Sequence, residues 1–177
     1  MRITLDRRTF LLAAGASVAT VAGHRTTALA APPPGACAFS PIFAARLCDT
    51  RFPLREHVTR INERTVRITV AGVGGVPAGA RAVAISLACI RPVSGGYATV
   101  WPSGHPRPLV ANLNAPTNSV VQTMAVVTLG DGGSFDVFTS QLANVTVDLL
   151  GSFNPVTADV AAGRYIAELT TPQSRRA

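Results

Sequence analysis

The chain of 177 residues carries sixteen basic side chains, all arginine, against nine acids, for a formal charge of +7. Four of those arginines and one acid lie in the first 31 residues, so the remainder is only mildly basic, with twelve arginines against eight acids. These arginines are scattered, form no basic run and have few aromatic rings between them, which argues against nucleic-acid binding. An attraction to anionic polymers is compatible with the charge but is not shown by it.

In chain order, residues 1–31 read as a targeting segment. Arg7 and Arg8 precede Thr9-Phe10-Leu11-Leu12, and an Ala/Gly/Val-rich run continues to Gly23. That run is shorter than the roughly 20 apolar residues needed to cross a bilayer. Ala28-Leu29-Ala30 supplies a small-x-small cleavage pattern. The string Asp6-Arg7-Arg8-Thr9-Phe10-Leu11 resembles a twin-arginine export signal. The resemblance implies a chain that folds before crossing the membrane and then works outside the cytoplasm or at the cell surface, with no membrane span once the signal is cleaved. An ordinary secretory signal is the other reading, with the same destination.

A Pro-rich linker is expected over residues 32–38 and one domain over 39–155. Val66, Ile68 and Val70 alternate with Arg67 and Thr69, the period-two pattern of a half-buried strand. The turn-rich Gly72–Gly79 segment follows, then Val83, Ile85, Leu87 and Cys89 repeat the alternation. Further strands are expected at Tyr97–Trp101, Val121–Leu129, Phe135–Thr139 and Val145–Leu149, and Asp131-Gly132-Gly133 reads as a hairpin turn. No segment of the domain combines helical periodicity with caps. The expected architecture is a single all-β domain, an antiparallel sandwich of jelly-roll type.

Motifs of catalysis are missing. The glycine cluster lacks the Lys-Ser/Thr ending of a phosphate loop, no Gly-x-Ser-x-Gly elbow occurs, and His57 and His105 do not have metal-ligand spacing. Asp131 and Asp136 flank a turn, and a calcium loop needs more carboxylates. No catalytic residue, metal or cofactor is expected.

The segment Ala45–Arg51 holds a thiol, a carboxylate and two guanidinium groups, and thus looks at first like chemistry. It belongs to a series. Phe43-Ala44-Ala45-Arg46-Leu47-Cys48-Asp49-Thr50-Arg51 is followed by Gly75-Val76-Pro77-Ala78-Gly79-Ala80, then by Gly96-Tyr97-Ala98-Thr99-Val100-Trp101-Pro102-Ser103-Gly104. Asn112-Leu113-Asn114 and Val147-Asp148-Leu149-Leu150-Gly151-Ser152-Phe153 complete it. Over about Phe39–Phe153 this order of motifs resembles a secreted β-domain found, often in tandem, in actinobacterial extracellular proteins. The resemblance implies a fold and no established activity. Cys48 stands where that family usually has leucine, so its thiol is not family chemistry. Asp49, Arg51 and Asp148 then read as structural signature residues, with Asp49 and Arg51 as an ion pair or as partners of turn amides.

Two functions remain open. One is a binding module for extracellular or cell-envelope polysaccharide, in which Tyr97, Trp101, His105, Arg107, Asn112 and Asn114 offer rings and hydrogen-bonding groups around a Pro/Gly-rich loop. Equally, Trp101 can fill the core and the asparagines can cap turns. The other is a structural or adaptor subunit that docks onto other secreted proteins. Residues 156–177 resemble the start of a further repeat, and a strand there could pair with an edge of this domain or of a partner. A glycan module should expose Trp101 beside Arg107, and an adaptor should leave a long strand edge or apolar patch.

Of the three cysteines, Cys89 continues an inward alternation, and Cys37 and Cys48 lie near the start of the domain. Cys37–Cys48 is the favoured disulfide, with Cys37–Cys89 left open by the sequence. Replacing Arg7 and Arg8 with lysine is expected to hold precursor inside the cell, measured by immunoblot of cells and medium. Unchanged secretion would assign export to the general secretory route.

Overall fold

The computed structural model describes residues 35–156. The expected export signal with Arg7 and Arg8, and the tail from 157 to 177, lie outside the described residues. Nine strands run in chain order: β1 Cys37–Asp49, β2 Val58–Asn62, β3 Thr65–Thr69, β4 Ala82–Ile90, β5 Gly96–Pro102, β6 Leu113–Ala115, β7 Val120–Thr128, β8 Ser134–Thr139 and β9 Asn144–Pro155. They form a four-stranded sheet, β1-β9-β4-β7, and a five-stranded sheet, β2-β3-β8-β5-β6. Every strand pair is antiparallel. With β2 set aside as an extra edge strand, β1-β9-β4-β7 over β3-β8-β5-β6 is the order of a jelly roll, an all-β sandwich as the alternating pattern required. No helix among the described residues is long and apolar enough to cross a membrane.

Alternation builds the core. Val83, Ile85, Leu87 and Cys89 of β4 and Val145, Val147 and Leu149 of β9 face Val66, Ile68 and Val70, Ala98 and Val100, and Phe135 and Val137 of the other sheet. Most of these are sealed from solvent, with Phe135 the largest fully buried side chain. Burying each aliphatic side chain of this kind contributes about 1.5–3 kcal/mol, which is what holds the two sheets face to face.

Two local expectations change. The first strand starts at Cys37, paired with Pro155, so part of the expected linker belongs to the sheet. Asp131-Gly132-Gly133 forms a short 3-10 turn, but it is not a hairpin: β7 ends in one sheet and β8 begins in the other. Turn chemistry specifies positive φ and not which sheet the chain enters next. Gly133 sits at φ +67°, its carbonyl accepts from Val70 N and Ala71 N, and a Cβ there would run into the Ala71 side chain. Gly133→Ala is therefore expected to cost about 1–3 kcal/mol, read from a shifted denaturant midpoint with unchanged slope. An unshifted midpoint would show that the turn relaxes freely.

Candidate functional site

The residues singled out for ligand binding meet on the outer face of the five-stranded sheet, where the β5–β6 loop folds back over it. The loop is anchored at its start. Asp136, buried on the outer face of β8, accepts from Arg67 Nε at 2.8 Å, from Arg67 Nη2 at 3.0 Å and from Ser103 Oγ at 2.7 Å. The paired carboxylate holds the Arg67 guanidinium above its ordinary value. A buried carboxylate persists only when charge and lone pairs are both satisfied, so this network fixes where the loop leaves the sheet.

From there the loop lies along β5. Thr99 Oγ1 donates to Val110 O at 2.6 Å, Asn112 N donates to Ala98 O, and Val100 N donates to Asn112 Oδ1 at 2.9 Å. Trp101 points outward and is nevertheless buried, with 7% exposure, because the loop covers it and its Nε1 donates to His105 O at 3.0 Å. The exposed-platform role expected of Trp101 is therefore incorrect. Asn112, though exposed, braces the loop against β5, and His105 contributes its carbonyl to the bond with Trp101. Five of the six candidates remain open to solvent, Tyr97, His105, Arg107, Asn112 and Asn114, the last opposite Tyr97 across the β5–β6 ladder. Arg107 stacks its guanidinium 3.7 Å from the Phe138 ring centre, and Tyr97 lies 6.2 Å from the same ring. Tyr97, Leu109, Val110 and Ala111 border a shallow cleft of about 260 Å³.

The Ala45–Arg51 segment is a clamp between strands. Arg46 bridges Asp148, through Nε and Nη2, and Asp49, through Nη1 at 3.0 Å. Arg51 reaches Asp49 with Nε at 2.9 Å and Nη2 at 2.7 Å, and its backbone N–H donates to Asp49 Oδ1. The Arg51 hydrogen bonds, aided by Arg46, hold the Asp49 carboxyl below the usual carboxylate range. Cys48 beside it is buried, and burial pushes its thiol up to about 11, so it stays protonated and unreactive at neutral pH.

All three cysteines are free thiols, and the expected Cys37–Cys48 bridge does not form. Both residues lie in the one extended strand β1, eleven residues apart, which separates them by ~35 Å at strand rise, whereas a disulfide needs Cα atoms within about 7 Å.

Strand edges supply what the sequence did not point to. Three of the four sheet edges are blunted. β1 carries Pro41 and two register breaks, β2 breaks register after Arg60, and β6 is three residues long. The fourth, β7, pairs with β4 over nine consecutive residues without a bulge and contains neither charge nor proline. Val120, Met124 and Val126 project from its outer side, Met124 with 69% exposure. Beside them the outer face of β4 is a floor of Ala82, Ala84, Ser86 and Ala88, so the β7 side chains stand above it. Among the described residues, Val120–Thr128 make no backbone–backbone hydrogen bond besides the β4 ladder, and Met124 O accepts from Thr123 Oγ1. The uncharged run was legible in the sequence; its place at an edge was not.

Neither a protein-family model nor a curated protein sequence matches this chain.

Two outcomes check this geometry. Trp101→Ala is expected to cost about 3–5 kcal/mol of unfolding free energy, as for any buried indole, and a change below about 1 kcal/mol would return the ring to the surface. Because the Asp49 carboxyl is held low in the folded chain, its pairing contributes above the ordinary carboxylate pKa of about 3.9 and fades as pH falls through the lower folded value. Asp49→Asn should therefore be less stable than the parent at pH 7, by about 1 kcal/mol given the exposed arginines, with the gap closing below pH ~4. A gap independent of pH would refute the ion-pair account.

Proposed function

We propose that this protein is a non-catalytic docking module that binds an extended segment of another secreted protein as an additional strand beside β7. The observation that carries the reading is the contrast among edges: three are blunted, and only β7 is long, regular, uncharged and apolar on its outer side. Half of the backbone groups of an edge strand point away from its sheet, and folded proteins rarely leave so long a row without proline, charge or bulge unless something pairs there. The matching partner segment is extended, free of charge, and apolar at alternate positions to lie against Val120, Met124 and Val126. The resemblance to secreted domains that occur in tandem supports a partner of the same extracellular setting.

Met124→Lys combined with Val126→Lys places charge on the edge without touching the core. Hydrogen exchange with an uncharged nine-residue alternating peptide should show the outward β7 amides protected in the parent and unprotected in the double variant. Equal protection in both, or none in the parent with any such peptide at millimolar concentration, would remove the proposal.

A polysaccharide surface is the second reading, favoured by the cleft beside Tyr97, where Arg107 and Asn114 remain exposed. It rests on these three residues with the exposed His105 and Asn112, and without Trp101. Tyr97→Ala abolishing retention on polysaccharide columns, with β7 unaltered, would favour it over docking.

A further inference from the structure

At the end of the sandwich where β9 begins, a cleft of about 300 Å³ opens between the β2–β3 hairpin and the loop after β4. Arg60 and Glu63 form one wall, Arg91 and Val93 the other, with Leu142 and Asn144 between them. It is separate from both the β7 edge and the Tyr97 cleft.

The arginines of this cleft differ from most others in the domain. Of the nine described, Arg46, Arg51 and Arg67 are ion-paired, Arg64 donates to Ser140 O and Arg107 stacks on Phe138. Arg55, Arg60, Arg81 and Arg91 have no side-chain partner among the described residues, and two of these four share this cleft. Glu63 lines the same cleft and forms no ion pair with either. Among the described residues Arg91 is also one of two non-glycine residues with positive φ, at 49°. Its strained turn is pinned by Arg91 N to Ser119 O at 2.7 Å, Val93 N to Leu142 O at 3.1 Å and Asn118 N to Pro92 O at 2.9 Å. Strain of this kind persists where the surroundings over-determine it. The rim is thus fixed before any ligand arrives, which reduces the entropy lost on binding.

The chemistry around the opening is mixed in a specific way. Two guanidinium groups offer paired N–H donors suited to a carboxylate or phosphate. Asn144 receives Thr50 Oγ1 on its Oδ1, leaving its amide N–H groups free, and the Glu63 carboxylate accepts hydroxyl protons. Val93 and Leu142 are exposed apolar side chains, with 67% and 48% exposure, and match the C–H face of a sugar ring. A bare inorganic anion would meet the Glu63 charge and leave the apolar wall and amide unused. From these groups we infer that the cleft binds a single anionic pyranose unit, a sugar bearing a carboxylate or a phosphate.

The test is calorimetric titration of the full chain at physiological salt with three probes: a tetragalacturonate, glucose 1-phosphate and the neutral maltotetraose. Binding of one or both acidic sugars, and none of maltotetraose, is expected; which of the two binds identifies carboxylate or phosphate as the recognised group. Arg60→Gln with Arg91→Gln should weaken that binding at least about tenfold, while the charge-matched Arg55→Gln with Arg81→Gln should leave it within about twofold. Arg60→Gln alone, outside the strained turn, provides the same comparison if the double variant melts early. No binding of either acidic sugar by ~10 mM, binding of maltotetraose as strong as theirs, or equal weakening in both double variants would overturn the inference.

Discussion

The architecture depends on β9 being paired along both sides. Its twelve residues ladder to β1 on one flank and to β4 on the other, while Val145, Val147 and Leu149 send their side chains inward. Among the described residues the last strand thereby ties the first strand to the middle of the domain, so the sheet is complete only once all of residues 35–156 have been made. The Arg46 bridge to Asp148 lies on the outer side of this junction, next to the register break in β1. A bulged strand has more than one way to slide against its neighbour, and a charged bridge across the ladder is suited to choosing one of them. That is why a cluster that resembles an active site in sequence acts as a fastening in three dimensions.

Much of the interior could be read from sequence because inward residues must be apolar and strands alternate. β3, β4, β8 and β9 announce themselves by Val66-x-Ile68-x-Val70, Val83-x-Ile85-x-Leu87, Phe135-x-Val137 and Val145-x-Val147-x-Leu149. β2 and β6 do not, since a strand at an edge has little interior to face: Thr59–Asn62 of β2 are exposed and β6 is only three residues long. The ligand residues were harder still. Alternation correctly puts Trp101 on the outer side of β5, yet exposure is decided by where residues 103–112 travel afterwards, through Ser103 on Asp136 and Asn112 on β5. Those are long-range polar bonds with no local pattern. The Arg60–Arg91 cleft was unreadable for the same reason: its walls are thirty residues apart in sequence and meet only because both sheets end there.

The surface that results is uneven in kind. One edge presents unsatisfied backbone and methyl and thioether groups, one face presents a ring and a guanidinium laid over another ring, and one end presents unpaired arginines. A domain whose interior is complete can vary each of these regions separately, because the outward β7 side chains, the β5–β6 loop and the hairpin tip contribute little to the packed layer between the sheets. The groups open to contact lie on the rim, and the core is their scaffold.

The free thiols have a consequence for where such a domain can exist. Two of the three are enclosed in the apolar layer and the third stands alone at the start of β1, so no covalent link contributes to the fold. The fold of residues 35–156 therefore depends on no disulfide that a reducing interior would break or an oxidising medium would have to make. Such a fold needs no oxidase, no disulfide isomerase and no oxidative maturation to reach its final form.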